Sequence, residues 1–374
     1  MFTLTVANHT TKTEQIIYRT NNNPGFYNLK INEKVNDFGT LTFSCLYSVV
    51  NFKVNDIVTV YQDGSVYWQG IIISMSRGFY GNVSVTAYGM MYTLTYQILN
   101  PITFDHSNGD TFNTVAEWIR DQNNLDVGSG LAINSDYTFG VSYDGTAYQD
   151  AVYDLKIDLD TPFDALKRLA EPYCYIYPTY YSAFSTPCFR VNIGEYNNAN
   201  KTVNQPIEFG LNMLDFTDEQ TMANFVTSVA PIGKDAQGNN VYITSVTQDG
   251  SGYVKLAQSI IDEYGEKRAR VVYDGISSPS ELLSAGTEWL QQNAFQELTI
   301  TLSAVDLSSL TSLNYDEFKL GYFVTINANQ FGFNAQLPIL ERNVDLTDPA
   351  NSKLTITNTY QTTLSEAVRR NTIE

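Results

Sequence analysis

Phe318-Lys319-Leu320-Gly321-Tyr322-Phe323-Val324-Thr325-Ile326 repeats the pattern of Phe52-Lys53-Val54-Asn55-Asp56-Ile57-Val58-Thr59-Val60, each residue 266 positions later. Both read Phe-Lys-apolar-x-x-apolar-Val-Thr-apolar, a polar approach running into a β-branched strand. The flanks keep the same order. Upstream, Leu41-Thr42-Phe43-Ser44 faces Leu298-Thr299-Ile300-Thr301. Downstream, Ile71-Ile72-Ile73-Ser74 faces Leu337-Pro338-Ile339-Leu340, and Val83-Ser84-Val85-Thr86 faces Lys353-Leu354-Thr355-Ile356-Thr357. A self-similarity carried through four strand-like segments marks an internal duplication. Its period is far longer than the unit of a solenoid, so one small β-domain is used twice. The repeated positions that carry this reading are Phe52, Val54, Ile57, Val58 and Val60, and Phe318, Leu320, Phe323, Val324 and Ile326.

Composition agrees with strands. The 374 residues suffice for two to four domains, with 43% hydrophobic and 17% charged residues, which is the balance of a folded chain. Tyr (26) and Phe (20) are abundant and recur with Val and Thr in short alternating runs, which favours sheet over helix. Gly and Asn punctuate those runs at turn spacing; Asp63-Gly64 lies between two β runs as a hairpin turn would.

Residues 1–95 read as a first small β-barrel domain. The texture changes at Leu99-Asn100-Pro101. A helix capped by Asp110 or Thr111 carries Phe112, Val115, Ala116 and Ile119 on one face. A second begins at Thr161, with Pro162 at its first position and Asp164 closing the cap. Tyr173, Tyr175 and Tyr177 alternate as in a strand. Residues 96–205 therefore read as an α+β domain. Residues 206–374 return to β and form the second barrel, with an inserted hairpin at about 230–265 and a helix at 279–294. That helix has the strongest start signal in the chain, Ser278 as cap, Pro279 first and Glu281 completing the box. The fold class expected is α+β, mainly β, with two related β-barrels.

The net charge of −18 disfavours sequence-specific nucleic-acid binding, which needs Lys and Arg to neutralise phosphates. It suits a wall past which nucleic acid slides without sticking. The N-terminal run Phe2-Thr3-Leu4-Thr5-Val6 is strand-like and lacks a signal peptide's basic region, and no apolar run approaches the ~18 residues of a membrane span. Cys45, Cys174 and Cys188 read as reduced buried thiols, with a Cys174–Cys188 bridge as the alternative.

Signals for catalysis are missing. The two histidines, His9 and His106, are far apart, and the chain has no zinc-peptidase, nucleophile-elbow, P-loop or dinucleotide motif. Asp105, Asp110, Asp154, Asp158, Asp160 and Asp164 are the densest carboxylates, but their spacing is that of helix caps and turns, not of an EF-hand loop. A carboxylate pair for glycoside hydrolysis is not marked by any pattern. Tyr173, Tyr175, Tyr177, Tyr180 and Tyr181 read as sheet packing or a subunit interface, with stacking on sugars as the rival. No catalytic residue, cofactor or metal ligand is expected.

The series Tyr264-Gly265-Glu266, Val271-Val272-Tyr273-Asp274, Ser278-Pro279-Ser280-Glu281-Leu282-Leu283, Trp289-Leu290, Ser303-Ala304-Val305-Asp306-Leu307, the Lys319 to Ile326 strand and Asp345-Leu346-Thr347-Asp348-Pro349 resembles the tail-tip hub proteins of siphophages infecting Gram-positive bacteria. These are also called tail-associated lysin or prophage tail endopeptidase proteins. In length the chain is most similar to the short lactococcal form, and the region that carries a peptidase or muralytic domain in longer members is not expected. The resemblance implies a baseplate-hub fold and a homotrimer docked on the hexameric distal tail protein and other baseplate or tail-tube components. The hub would sit at the distal end of the virion tail after synthesis in the host cytoplasm. It implies phage DNA crossing a channel without specific binding, and no enzymatic activity. The rival readings are a cell-wall hydrolase and a carbohydrate-binding adhesin.

Overall fold

The structure is a computed structural model. It describes all residues except 9–10, 21–24, 105–108, 126–137, 145–154, 172–173, 182–187, 197–200, 222–224, 236, 248, 274, 294–295, 309–314, 349–352 and 363–374. His9, His106, Asp105, Asp154 and Tyr173 fall outside the described residues.

Two compact units emerge from the chain's own contacts, residues 1–216 with 302–356, and residues 217–301 with 357–374. In chain order the strands and helices are β1 (Phe2–Ala7), β2 (Glu14–Arg19), β3 (Phe26–Lys34), β4 (Thr40–Leu46), β5 (Ile57–Gln62), β6 (Ser65–Arg77), β7 (Asn82–Gly89), β8 (Ile102–Phe104), α1 (Phe112–Leu125), β9 (Phe139–Asp144), β10 (Leu155–Ile157), α2 (Pro162–Ala170), β11 (Cys174–Tyr180), β12 (Phe189–Glu195), β13 (Ile207–Glu208) and β14 (Met213–Thr221). They continue with β15 (Ser228–Lys234), β16 (Asn240–Tyr242), β17 (Val254–Lys255), α3 (Gln258–Tyr264), β18 (Arg268–Tyr273), α4 (Pro279–Asn293), β19 (Gln296–Val305), β20 (Phe323–Ala328), β21 (Phe333–Pro338), β22 (Glu341–Asp345) and β23 (Lys353–Thr362). The fold is α+β and mainly β.

An 11-stranded sheet, ordered β14-β19-β23-β22-β3-β4-β7-β6-β5-β1-β2, organises the first unit. Period-2 sequence makes these strands half-buried. In β7, Val83, Val85 and Ala87 point inward while Ser84 stays exposed. In β3, Leu29, Ile31 and Glu33 are buried between exposed neighbours. β5 is buried from Ile57 to Val60, so both of its faces are covered, while its two edges pair with β1 and with β6. The core runs from these strands into α1 and α2. Phe112, Val115, Ala116 and Ile119 of α1 and Phe163, Leu166 and Leu169 of α2 join it, as their helical spacing dictates. α2 opens on the expected cap, with Thr161 Oγ1 accepting from the Asp164 amide at 3.2 Å. β9, β12 and β11 form a three-stranded sheet in which β12 lies parallel to β9 and antiparallel to β11. All three cysteines are buried and free, so Cys174 and Cys188 are not bridged.

The second unit is built on β15, which pairs antiparallel with β16 and β17 and parallel with β18. α4 lies on this sheet, and Gly286 is needed there, since a Cβ would stand 2.7 Å from the Pro231 ring. Tyr273 Oη donates to the Ala285 carbonyl at 3.0 Å, fixing β18 to the same helix.

Candidate assembly site

The two copies of the opening stretch share one pattern of backbone hydrogen bonds. In each, Phe52 or Phe318 is buried, a two-residue turn follows, and the strand begins at Ile57 or Phe323. The Asp56 amide donates to the Lys53 carbonyl at 3.2 Å, and the Tyr322 amide to the Lys319 carbonyl at 3.1 Å. The Asn55 amide donates to Ile72 at 2.8 Å, and the Gly321 amide to Ile339 at 2.9 Å. The returning bonds match too, from Ile72 to Asp56 at 2.9 Å and from Ile339 to Tyr322 at 2.8 Å. Ile57 is then opposite Ile71, and Phe323 opposite Pro338. Thus the next strand is offset by 267, one more than the sequence match of Ile71 with Leu337 implies; the β20–β21 turn has taken up the extra residue.

The copies also agree in their third pairing. Ser74 faces Thr86 and Ser76 faces Ser84, while Glu341 faces Thr355 and Asn343 faces Lys353. One difference is informative. β6 is continuous, with a register shift between Ile72 and Ser74, whereas the second copy breaks at Ile339–Leu340 into β21 and β22. Pro338 has no N–H to extend a ladder, which accounts for the break. The first neighbour of the copied strand differs as well, since β1 runs antiparallel to β5 while β13 runs parallel to β20.

Of the ten repeated positions, nine are buried. Val54 is the exception, being 49% exposed, while its counterpart Leu320 is buried with Val35, Tyr175 and Tyr177. Symmetry of sequence has not given symmetry of environment. The second copy's turn is covered by β11, where Tyr175 Oη donates to the Gly321 carbonyl at 3.0 Å. Tyr177 Oη bonds Asp144, which also pairs with Lys201 Nζ at 2.6 Å. Burial and that carboxylate both hold the Tyr177 phenol well above its usual pKa, so it stays a donor. Tyr175, Tyr177 and Tyr180 are each at most 8% exposed. All three pack inside the fold.

The two copies meet where β22 pairs antiparallel with β3, from Glu341 opposite Lys34 to Asp345 opposite Lys30. At the centre, Arg342 faces Glu33, and its Nη2 and Nε reach Glu33 Oε2 at 2.5 and 2.6 Å. Its Nη1 donates to the Phe318 carbonyl at 2.8 Å and lies 3.5 Å from Glu317, and the guanidinium stands 4.9 Å from the Tyr67 ring centre. Burial works to lower the Arg342 pKa, but Glu33, Tyr67 and Glu317 more than offset it, so the cation is held. Glu317 is raised by burial, against the pull of Arg342. A cavity of about 230 Å³ adjoins this cluster, lined by Glu33, Tyr67, Tyr180, Glu317 and Arg342 among others.

Sequence reasoning missed this cluster. Arg342 sits in an ordinary-looking Glu-Arg-Asn alternation, and its partner lies 309 residues away. The arrangement is a joint. Among the described residues no group of three or more His, Cys, Asp or Glu could hold a metal. Asp110, Asp158, Asp160 and Asp164 are not gathered into one site; Asp160 pairs with Arg168 at 2.5 Å and Asp164 caps α2. No helix among the described residues is long and apolar enough to cross a membrane.

Residues 200–366 match the family model described as Prophage endopeptidase tail. No curated protein matches the chain. Three solved structures are similar over nearly the whole length. The 43 kDa tail protein of prophage MuSo2 from Shewanella oneidensis has a TM-score of 0.59 and 13% identity, covering 96% of this chain and 98% of that one. The tail protein from Neisseria meningitidis MC58 has a TM-score of 0.58 and 13% identity, covering 96% of each. Prophage tail protein gp18 from Listeria monocytogenes EGD-e has a TM-score of 0.54 and 12% identity, covering 99% and 98%. The C-terminal part of this chain thus matches the prophage tail family, and the whole chain has the fold of phage tail proteins.

Proposed function

We propose that this chain is a structural, non-enzymatic hub of a phage tail baseplate, resident at the distal end of the virion tail. It assembles as a homotrimer, docks on the hexameric distal tail protein, closes the tail tube and opens for DNA ejection during host entry. The duplication carries this reading. Two equivalent modules per chain in a three-chain ring present six like surfaces, which reconciles a threefold hub with a sixfold tube. The family match over residues 200–366 and the tail-protein fold support a place in the tail. The charge of −18 suits a wall that repels passing DNA. The short form of the siphophage hub, as in lactococcal phages, is the type it fits best. The test is co-purification with the distal tail protein made from the same prophage. A stable complex of three hub chains per six distal tail chains is expected, and a hub that stays apart from that ring overturns the docking. Zymography on host cell walls checks the absence of enzymatic activity; clearing abolished by a single Asp or Glu substitution would establish a hydrolase instead.

A further inference from the structure

The sheet of the second unit carries its helix on one face. A Cβ at Gly286 of α4 would stand 2.7 Å from Pro231 and 3.3 Å from Val254, and Tyr273 Oη reaches the Ala285 carbonyl. Alternation then sorts the strands. Val229, Pro231 and Gly233 of β15 turn towards α4, as do Ala269, Val271 and Tyr273 of β18. Ser228, Ala230 and Ile232 turn away. Residues paired across strands share a face, so the register carries their neighbours to the same side. Lys255 and Arg268 flank Ser228, Arg270 lies beside Ala230, and Tyr242 and Val272 flank Ile232. Lys255, Arg268 and Arg270 are exposed, with Tyr242 at 51% and Val272 at 42%.

The charge of this outer face is opposite to that of the chain. Between residues 217 and 301 the basic residues are Lys234, Lys255, Lys267, Arg268 and Arg270, and all but Lys267 stand on it. The four strands β15 to β18 contain no Asp or Glu, in a protein of net −18. Two of the cations are held from the margin. Asp249 takes Lys255 Nζ at 2.8 Å, and Glu266 takes Arg268 Nη2 at 2.9 Å, with the guanidinium 4.9 Å from the Tyr253 ring centre. Arg270 has no ion pair among the described residues, which leaves its guanidinium to an outside anion.

An acidic occupant is required, and its charge must be sparse. Duplex DNA carries one charge per ~1.7 Å and would set several against Asp249 and Glu266. A polymer with one phosphate among several sugar rings brings a single anion to the arginines. Its uncharged rings then meet the apolar row of Tyr242, Ile232 and Val272. The flat π face of Tyr242 suits the C–H side of a pyranose ring.

We propose that the outer face of the β15–β18 sheet binds a phosphate-bearing polysaccharide, with Arg268 and Arg270 holding the phosphate and the neighbouring sugar packing over Tyr242, Ile232 and Val272. Guanidinium groups present paired N–H donors to a phosphate, which ammonium groups do not. The surface lies within one unit of one chain, so it depends on neither the trimer nor the docking proposed above.

Calorimetric titration of the full chain at low salt tests it, with four probes: a phosphomannan, the same mannan stripped of its phosphates, duplex DNA and polyglutamate. The phosphomannan is expected to bind, more weakly as salt rises, and removal of its phosphates to abolish the binding. Arg270→Glu should weaken it about tenfold or more. Tyr242→Ala should weaken it about threefold or more. The control Lys156→Glu, at an exposed cation of the first unit, should bind as the wild type does. Arg270 and Tyr242 are exposed, so both variants should keep the wild-type circular dichroism spectrum. A phosphomannan that does not bind overturns the proposal, as does equal binding by both variants. Tighter binding of duplex DNA would make this a nucleic-acid surface. Equal binding of polyglutamate, unaffected by Tyr242→Ala, would make it a surface for acidic peptides. Either result displaces the polysaccharide.

Discussion

Asn55 and Gly321 occupy the same backbone position in the two copies, both left-handed, with φ of 73° and 78°. Each follows a buried Phe and an exposed Lys by the same count, and donates its amide to the carbonyl of Ile72 or Ile339. Gly adopts this conformation freely, and Asn at lower cost than most other residues. The duplicated stretch has therefore kept a backbone requirement while its side chains diverged.

The two positions are predicted to respond differently to one change. Asn55 lies beside exposed Val54, so Asn55→Gly should be nearly neutral and Asn55→Ala should cost about 1 kcal/mol from left-handed strain alone. At Gly321 a Cβ would stand 2.7 Å from the buried Tyr177 ring. Gly321→Ala should therefore add a steric cost of about 1–3 kcal/mol to the same strain. Urea titrations of the three variants measure the difference. Equal losses for the two alanine variants would show that β11 does not constrain the second turn.

Arg342 and Glu33 form the ion pair that joins the copies, with side chains 9% and 3% exposed. Removing one partner leaves a buried charge unmatched. Arg342→Met is expected to cost about 3–5 kcal/mol, whereas the double variant Glu33→Met/Arg342→Met should recover much of that loss. A double-mutant cycle in denaturant measures the coupling, and additive losses would argue against the joint.

The legible parts of this fold were those set by local pattern. Alternation announced β3, β4 and β7, and the Thr161-Pro162 and Ser278-Pro279 caps placed α2 and α4. The repeat was legible because both copies retained the same turn and β-branched strand. α3 escaped because Gln258–Tyr264 has no buried residue and no side-chain cap, so it leaves no periodic signal. The β3–β22 junction escaped for another reason. Its register is a tertiary fact between segments over 300 residues apart, and nothing near Glu33 or Arg342 encodes it.

Glu317 should impose a pH dependence on this joint. Burial raises its folded-state pKa above the ordinary 4.5, so the folded protein binds the proton more tightly than the unfolded chain. Stability from this group is full below about 4.5 and is lost as pH rises through the folded value. Glu317→Gln removes the ionisation while leaving the Arg342–Glu33 pair. The variant should gain on the wild type as pH goes from 4 to 8, read as the difference in denaturant midpoint. A constant difference over that range would mean that Glu317 is ionised without penalty.

The three cysteines provide a test of how closed the first unit is. Burial pushes the Cys45 thiol up to about 11 and the Cys174 thiol up to about 12, so neither supplies thiolate near neutral pH. Cys188 is buried as well. Reaction requires both access and thiolate; Cys45 and Cys174 offer neither in the native protein, and Cys188 offers no access. A chromogenic disulfide reagent at pH 8 should thus detect none of the thiols in the folded chain and all three in guanidinium chloride. Reaction should follow opening, with Cys45 of β4 and Cys174 of β11 each reporting on its own strand. A thiol that reacts rapidly in native buffer would reveal an opening in that core which its packing does not contain.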